Sequence, residues 1–195
     1  MAELEIIGPA DDADVRVCRM ACLEKGVLYR FRAIDFGSRK ALRENDFGSL
    51  PALRHGKVRL FGARSITHYI DRRFNGRLLV PANPIRSAEV EQWIGVIQAR
   101  LGKLMSAASV ATAVNCGDTQ DCLKILNDNI GSRAWLVGRG FTLADIWLLP
   151  AVHNFCVHTG HTTLLHTLPS IGIWYAKHKS RRSWNALCAD DDSDT

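Results

Sequence analysis

Three places in this chain carry residue types that could do chemistry. The first is Asp11, Asp12 and Asp14, just ahead of an apolar-periodic stretch. A carboxylate there can cap the helix that follows, or act as a general base if it is partly desolvated. The second is the run of His153, Cys156, His158, His161 and His166. His153 and Cys156 stand one helical turn apart and could share a metal, but core and surface histidines account for the run, so no metal is predicted. The third is a matter of backbone. Phe47–Ile70, FGSLPALRHGKVRLFGARSITHYI, reads as a turn with Leu50-Pro51, a strand Ala52–Arg54, a turn at Gly56, a strand Val58–Phe61 and a helix. The Leu50-Pro51 bond is a candidate cis peptide, and a sheet edge beside a helix start can bind a small peptide-like ligand.

The elements that must position these groups follow from the same reading. Leu4–Ile7 is a short apolar run closed by Gly8-Pro9, as a buried strand would be. Val15–Lys25 is helical, with acids at its start and Gly26 at its end. Val27–Asp35 alternates as a one-sided strand, Ser38–Glu44 is a weak helix, and Arg64–Arg73 is a helix presenting Ile66, Tyr69 and Ile70. Asn75–Pro84 is rich in Gly, Pro and Asn and marks a boundary.

Beyond it the chain turns helical. Val90, Trp93, Ile94, Ile97, Leu101 and Leu104 keep helical spacing from Ile85 on. A break is predicted over 106–118 and a weaker helix over Gln120–Ile130. Thr142 and Asp145 have capping-box spacing, with Phe141 and Ile146 as a staple and Pro150 inside the helix as a kink. A last helix starts at Pro169 and carries Ile173, Trp174 and Ala176, with Trp184 and Leu187 closing the fold before a mobile tail ADDDSDT. The expected division is a first domain over 1–76, a linker over 77–84, a helical domain over 85–188 and an acidic tail over 189–195.

The totals bound the function classes. With 195 residues, 47% apolar and 23% charged, the chain suits an ordinary globular protein of one large or two small domains. No apolar run is long enough to span a bilayer, and MAELEIIGP lacks the pattern of a secretory signal, so a cytoplasmic protein without a membrane partner is expected. The six cysteines form no CxxC pair and no zinc-finger spacing, which predicts free, reduced thiols. The net charge of +5 sits in residues 1–80, which hold 15 Lys+Arg against 10 Asp+Glu. That could favour an anionic ligand, although a solvated basic face explains it as well. No basic run with interleaved aromatics points to nucleic acid.

VRVCRMACLEKG, FGSLPAL…GKVRLFGARSITHYIDRRF, GFTLADIWLLP and LPSIGIWYAKHKSRRSWNAL together resemble the cytosolic glutathione transferase superfamily along nearly the whole chain. The proline in the capping-box helix and the short ending lean towards phi-like and bacterial or fungal relatives. The resemblance implies an α+β fold, with an N-terminal thioredoxin-like domain and a C-terminal all-α domain. It also implies a glutathione site on the first domain, an electrophile site between the two, and a homodimer.

Carried over position by position, the family's cis-proline falls on Pro51, and the backbone of Leu50 would pair with the cysteinyl part of glutathione. The Glu-Ser pair that holds the γ-glutamyl end falls on Gly62-Ala63, which lacks both the carboxylate and the hydroxyl. Backbone N–H groups remain at that helix start, beside Arg64, and could still receive an anion. The activating serine or cysteine aligns with Asp12, whose charge would raise a neighbouring thiol pKa and not lower it. Arg39 and Lys40 could meet the glycyl carboxylate. Ile97, Leu101 and Met105 are candidates for the apolar side of the cleft.

The resemblance therefore implies an enzyme that acts on a small hydrophobic molecule. It would do so by glutathione conjugation or by a glutathione-independent isomerisation, elimination or cyclisation, with Asp12 as the candidate catalytic group. The alternative is a non-catalytic protein acting through protein–protein contacts, like the stringent starvation protein, which the GPAD start also resembles.

Overall fold

The computed structural model describes residues 3–105, 112, 116–159 and 166–193. Two compact units divide the chain: Met1–Leu79 with Ala186–Thr195, and Val80–Asn185.

The first unit is built on a four-stranded sheet ordered β2-β1-β3-β4. Strand β1 (Leu4–Gly8) pairs parallel to β2 (Arg30–Ala33), with Ile6 opposite Phe31, and antiparallel to β3 (Ala52–His55), with Ile6 opposite Leu53. Strand β4 (Val58–Phe61) completes the hairpin through Ala52↔Phe61 and His55↔Val58. Parallel β1 and β2 need a crossover, and α1 (Ala13–Lys25) supplies it. The other helices here are the single turn α2 (Arg39–Leu42), capped by the Ser38 hydroxyl, and α3 (Ala63–Arg73). This is the thioredoxin-like arrangement expected from the sequence.

Strand β2 is shorter than the alternation over 27–35 predicts, because the end of α1 claims its first residues. Gly26 takes a left-handed conformation at φ 66°, its N–H donates to the Leu23 carbonyl, and the Val27 N–H donates to the Cys22 carbonyl at 2.9 Å. That double closure is a Schellman motif, and it holds Val27 outside the sheet.

Lys25 looks from sequence like a charge at a helix end, yet it is buried. Its ammonium donates to the Asp71 carbonyl (3.1 Å), the Arg77 carbonyl (3.0 Å) and Asp71 Oδ1 (3.4 Å), while the Leu79 N–H donates to Asp71 Oδ1 at 2.6 Å. Three acceptors offset the desolvation of the ammonium, and the segment after α3 is pinned to the end of α1.

The second unit is helical: α4 (Pro84–Leu101), a 3-10 turn (Gly102–Met105), α5 (Gly117–Ile130), α6 (Leu143–Thr159) and α7 (Pro169–Lys179). Helix α8 (Arg182–Ser193) follows and runs into the stretch expected as a mobile acidic tail. Most of the break expected over 106–118 lies outside the described residues; α5 begins inside it, at Gly117.

The capping box forms in a modified way. Asp145 Oδ2 accepts from the Thr142 N–H (2.8 Å) and the Thr142 hydroxyl (3.0 Å), and Oδ1 accepts from the Leu136 N–H (2.9 Å). The Thr142 hydroxyl thus donates to aspartate and leaves the Asp145 N–H to the Thr142 carbonyl. Pro150 lies inside α6, which continues past it to Thr159. On α7 the buried face includes Ile171, Trp174, Tyr175 and His178, while Ile173 is 69% exposed. The observed set has the i, i+3, i+4, i+7 spacing of one helical face, and Ile173 falls off it.

Candidate functional site

In the first unit, three chain segments meet at Gly8, where β1 ends. A Cβ built there would come within 2.5 Å of Val15 Cγ2 on α1 and 3.7 Å of both Leu50 Cβ and Pro51 Cα. The φ of +155° adds strain for any side chain at this position. Only glycine lets the start of α1 and the Leu50-Pro51 turn close on the strand end together. The Leu50–Pro51 peptide bond is cis. The ladder between β1 and β3 ends at Ile7↔Ala52, so the Leu50 N–H and C=O take no part in it. Ile7, Ile34, Ala41, Leu50 and Ala52 form one buried cluster that holds the turn from beneath.

Helix α3 starts against the same turn. Gly62 is its N-cap at φ 80°, donates its N–H to the Pro51 carbonyl at 2.9 Å, and brings no side-chain cap. Ala63 is buried, and its carbonyl accepts from the Thr67 hydroxyl at 2.8 Å. The Cys18 Sγ lies 4.0 Å from that carbonyl. Buried on α1 near Asp14, Cys22 and Asp12, its thiol is pushed well up in pKa, mainly by burial, and stays protonated.

At the start of α1, Asp12 is the N-cap, its Oδ1 accepting from the Val15 N–H at 3.0 Å. Burial raises its pKa, partly opposed by the Val15 and Asp14 N–H groups; nearby Asp11 raises it further and Arg16 lowers it. Asp14, in the first turn of the helix, is pushed up to about 6, first by burial and then by the charge of Asp12. Two carboxylates with raised proton affinity therefore stand at one helix start. Both groups are legible in the sequence as capping acids, but their desolvation is not, since it depends on what packs over them.

Of the residues singled out from sequence, Asp12, Leu50, Pro51, Gly62 and Ala63 belong to this one junction, linked through Gly8, Val15 and the Gly62–Pro51 hydrogen bond. Arg64 is exposed on the first turn of α3, and Arg39 and Lys40 are exposed on α2. In the helical unit, Ile97 and Leu101 are fully buried on α4, and Met105 ends the 3-10 turn.

Among the described residues, no group of three or more His, Cys, Asp or Glu is placed to hold a metal ion. His153 Nδ1 is 2.8 Å from the Tyr175 hydroxyl, and its ring packs edge-on to Trp184. His161 lies outside the described residues. Among those described, no helix is long and apolar enough to cross a membrane.

Residues 13–78 match the family model for the glutathione S-transferase N-terminal domain. Glutathione S-transferase F14 of Arabidopsis thaliana is 25% identical over 149 residues, which is 66% of this chain and 58% of that relative. Among solved structures, poplar glutathione transferase F1 superposes with a TM-score of 0.84 over 99% of this chain and 100% of that one, at 20% identity. Glutathione S-transferase-I bound with lactoylglutathione superposes with a TM-score of 0.79 over 96% of this chain and 99% of that one, at 23% identity.

Proposed function

We infer that this chain is a phi-like member of the cytosolic glutathione transferase superfamily and a glutathione transferase-like enzyme whose glutathione site has lost its charge-recognition half. Its fit to glutathione is uneven. The Leu50 backbone suits the peptide part of the ligand, and the uncapped N–H groups of α3 suit a carboxylate. No side chain at Gly62 or Ala63 can receive an ammonium. Charge-assisted hydrogen bonds contribute about 1.5–3 kcal/mol each, so losing two weakens binding by roughly two orders of magnitude or more. When bound, glutathione would supply a thiol.

Asp12 carries the reading. It stands where relatives would place a serine or cysteine, and burial raises its proton affinity. A hydroxyl would stabilise a thiolate by donating to it; an ionised carboxylate opposes one but can accept its proton. Asp12 is therefore assigned as a general base, working on the thiol or directly on a small hydrophobic substrate in an isomerisation, elimination or cyclisation.

Calorimetric titration with glutathione tests the ligand. Submillimolar binding supports the glutathione-dependent reading; millimolar or absent binding sinks it. Asp12→Asn tests the base, because asparagine caps a helix about as well as aspartate. Turnover is expected to vanish while the melting temperature barely moves. Intact turnover would leave Asp12 a cap and nothing more.

A further inference from the structure

We propose that the helical unit carries a second small-molecule site, separate from the junction at Gly8, that binds a planar aromatic compound bearing a dianionic group, of the nucleoside-monophosphate kind. The site is a pocket of about 400 Å³, lined by Arg86, Gln92 and Trp93 of α4 and by Arg133, Trp135 and Arg139 of the segment between α5 and α6. All its lining residues fall within Val80–Asn185, so it is complete without the sheet unit. Its size lies within the range of small-molecule sites, about 300–1,000 Å³.

The lining selects a charge. Arg86 is held by Glu89, its Nη1 2.7 Å from Glu89 Oε2. Among the described residues, Arg133 and Arg139 have no carboxylate partner. Three guanidinium groups against one lining carboxylate leave two positive charges, which a phosphate monoester dianion would balance. Arginine suits such a group because its planar fork gives paired hydrogen bonds to phosphate oxygens.

The lining also selects a ring. Trp93 and Trp135 are both half-buried, so each leaves part of its indole open. Trp135 is fixed by an edge contact to Phe141 and by His178, with Lys177 Nζ 4.6 Å from its ring centroid. Held side chains of this kind offer a stacking surface at little cost in rotamer entropy. Structural ion pairs do not explain two unpaired arginines beside two half-open indoles; a planar anion satisfies both.

The test is calorimetry on the full chain with adenosine 5′-monophosphate, adenosine, inorganic phosphate and 1-naphthoate. The monophosphate is expected to bind with Kd below about 1 mM, with adenosine and phosphate each at least about tenfold weaker, since each lacks one half of the recognition. The double variant Arg133→Gln/Arg139→Gln should weaken the monophosphate at least about tenfold and leave the urea midpoint unchanged, because both side chains are exposed. Saturating glutathione should leave binding unaltered. Absent saturation by the monophosphate, equal binding by the double variant, competition by glutathione, or 1-naphthoate binding as tightly would each overturn the proposal.

Discussion

Two helix starts flank the same cis-proline turn, and they are opposites. Helix α1 begins with a carboxylate already in place: Asp12 accepts the Val15 N–H, and Asp14 follows within the first turn. Helix α3 begins with Gly62, whose side-chain position is empty and which offers no cap. The N–H groups at the start of α1 meet an internal carboxylate and those at the start of α3 meet no capping side chain, although each helix start carries the same positive end of the dipole. The dipole is generic; what differs is who occupies it. One helix start carries an internal acid and the other a bare backbone.

The sharpest way to break this contrast is at Gly8, which holds the two helix starts to one turn. Gly8→Ala must displace Val15, whose N–H is the Asp12 partner, and must hold alanine at φ +155°. A loss of about 3 kcal/mol is expected in urea unfolding. A loss under about 1 kcal/mol would mean that the junction is slack. Next in size is Gly62→Glu with Ala63→Ser, which adds the carboxylate and hydroxyl that the proposed glutathione site lacks. Glutathione affinity should rise roughly tenfold to hundredfold. Because Gly62 sits at φ 80° in open space, the gain comes with about 1–2 kcal/mol of backbone strain. Unchanged affinity in calorimetry would show that α3 does not face the ligand.

The smallest effect sharpens the α1 side. Asp14 holds its proton up to a pH of about 6 in the folded chain, against an ordinary value of 3.8. Its burial therefore favours folding below about pH 4, and that contribution is lost as the pH rises through about 6. Asp14→Asn should raise stability at pH 7 by about 1–2 kcal/mol and flatten the decline between about pH 4 and 6. An unaltered stability–pH profile would place the carboxylate in water.

Much of the fold was legible from local patterns. The hairpin, the α1 cap and stop, the α4 stripe and the Thr142–Asp145 cap all rest on spacings within one element. The misreadings arise where neighbours intervene. Val27 left the strand because the Schellman closure of α1 took its N–H. The burial of Lys25 is likewise beyond any local pattern, since its Asp71 partner lies 46 residues away.

What the amino-acid order determined by itself was the inventory of the junction: Leu50-Pro51 present, Gly62-Ala63 without carboxylate or hydroxyl, Asp12 ahead of the first helix. Those are statements about which groups exist, and covalent structure settles them. The tertiary structure alone decided their energies. Whether Asp12 and Asp14 are ordinary acids or proton-holding ones depends on the water removed around them. Whether Gly8 is a spacer or a keystone depends on Val15 and Pro51 arriving at the same point, and both are consequences of packing between segments far apart in the chain.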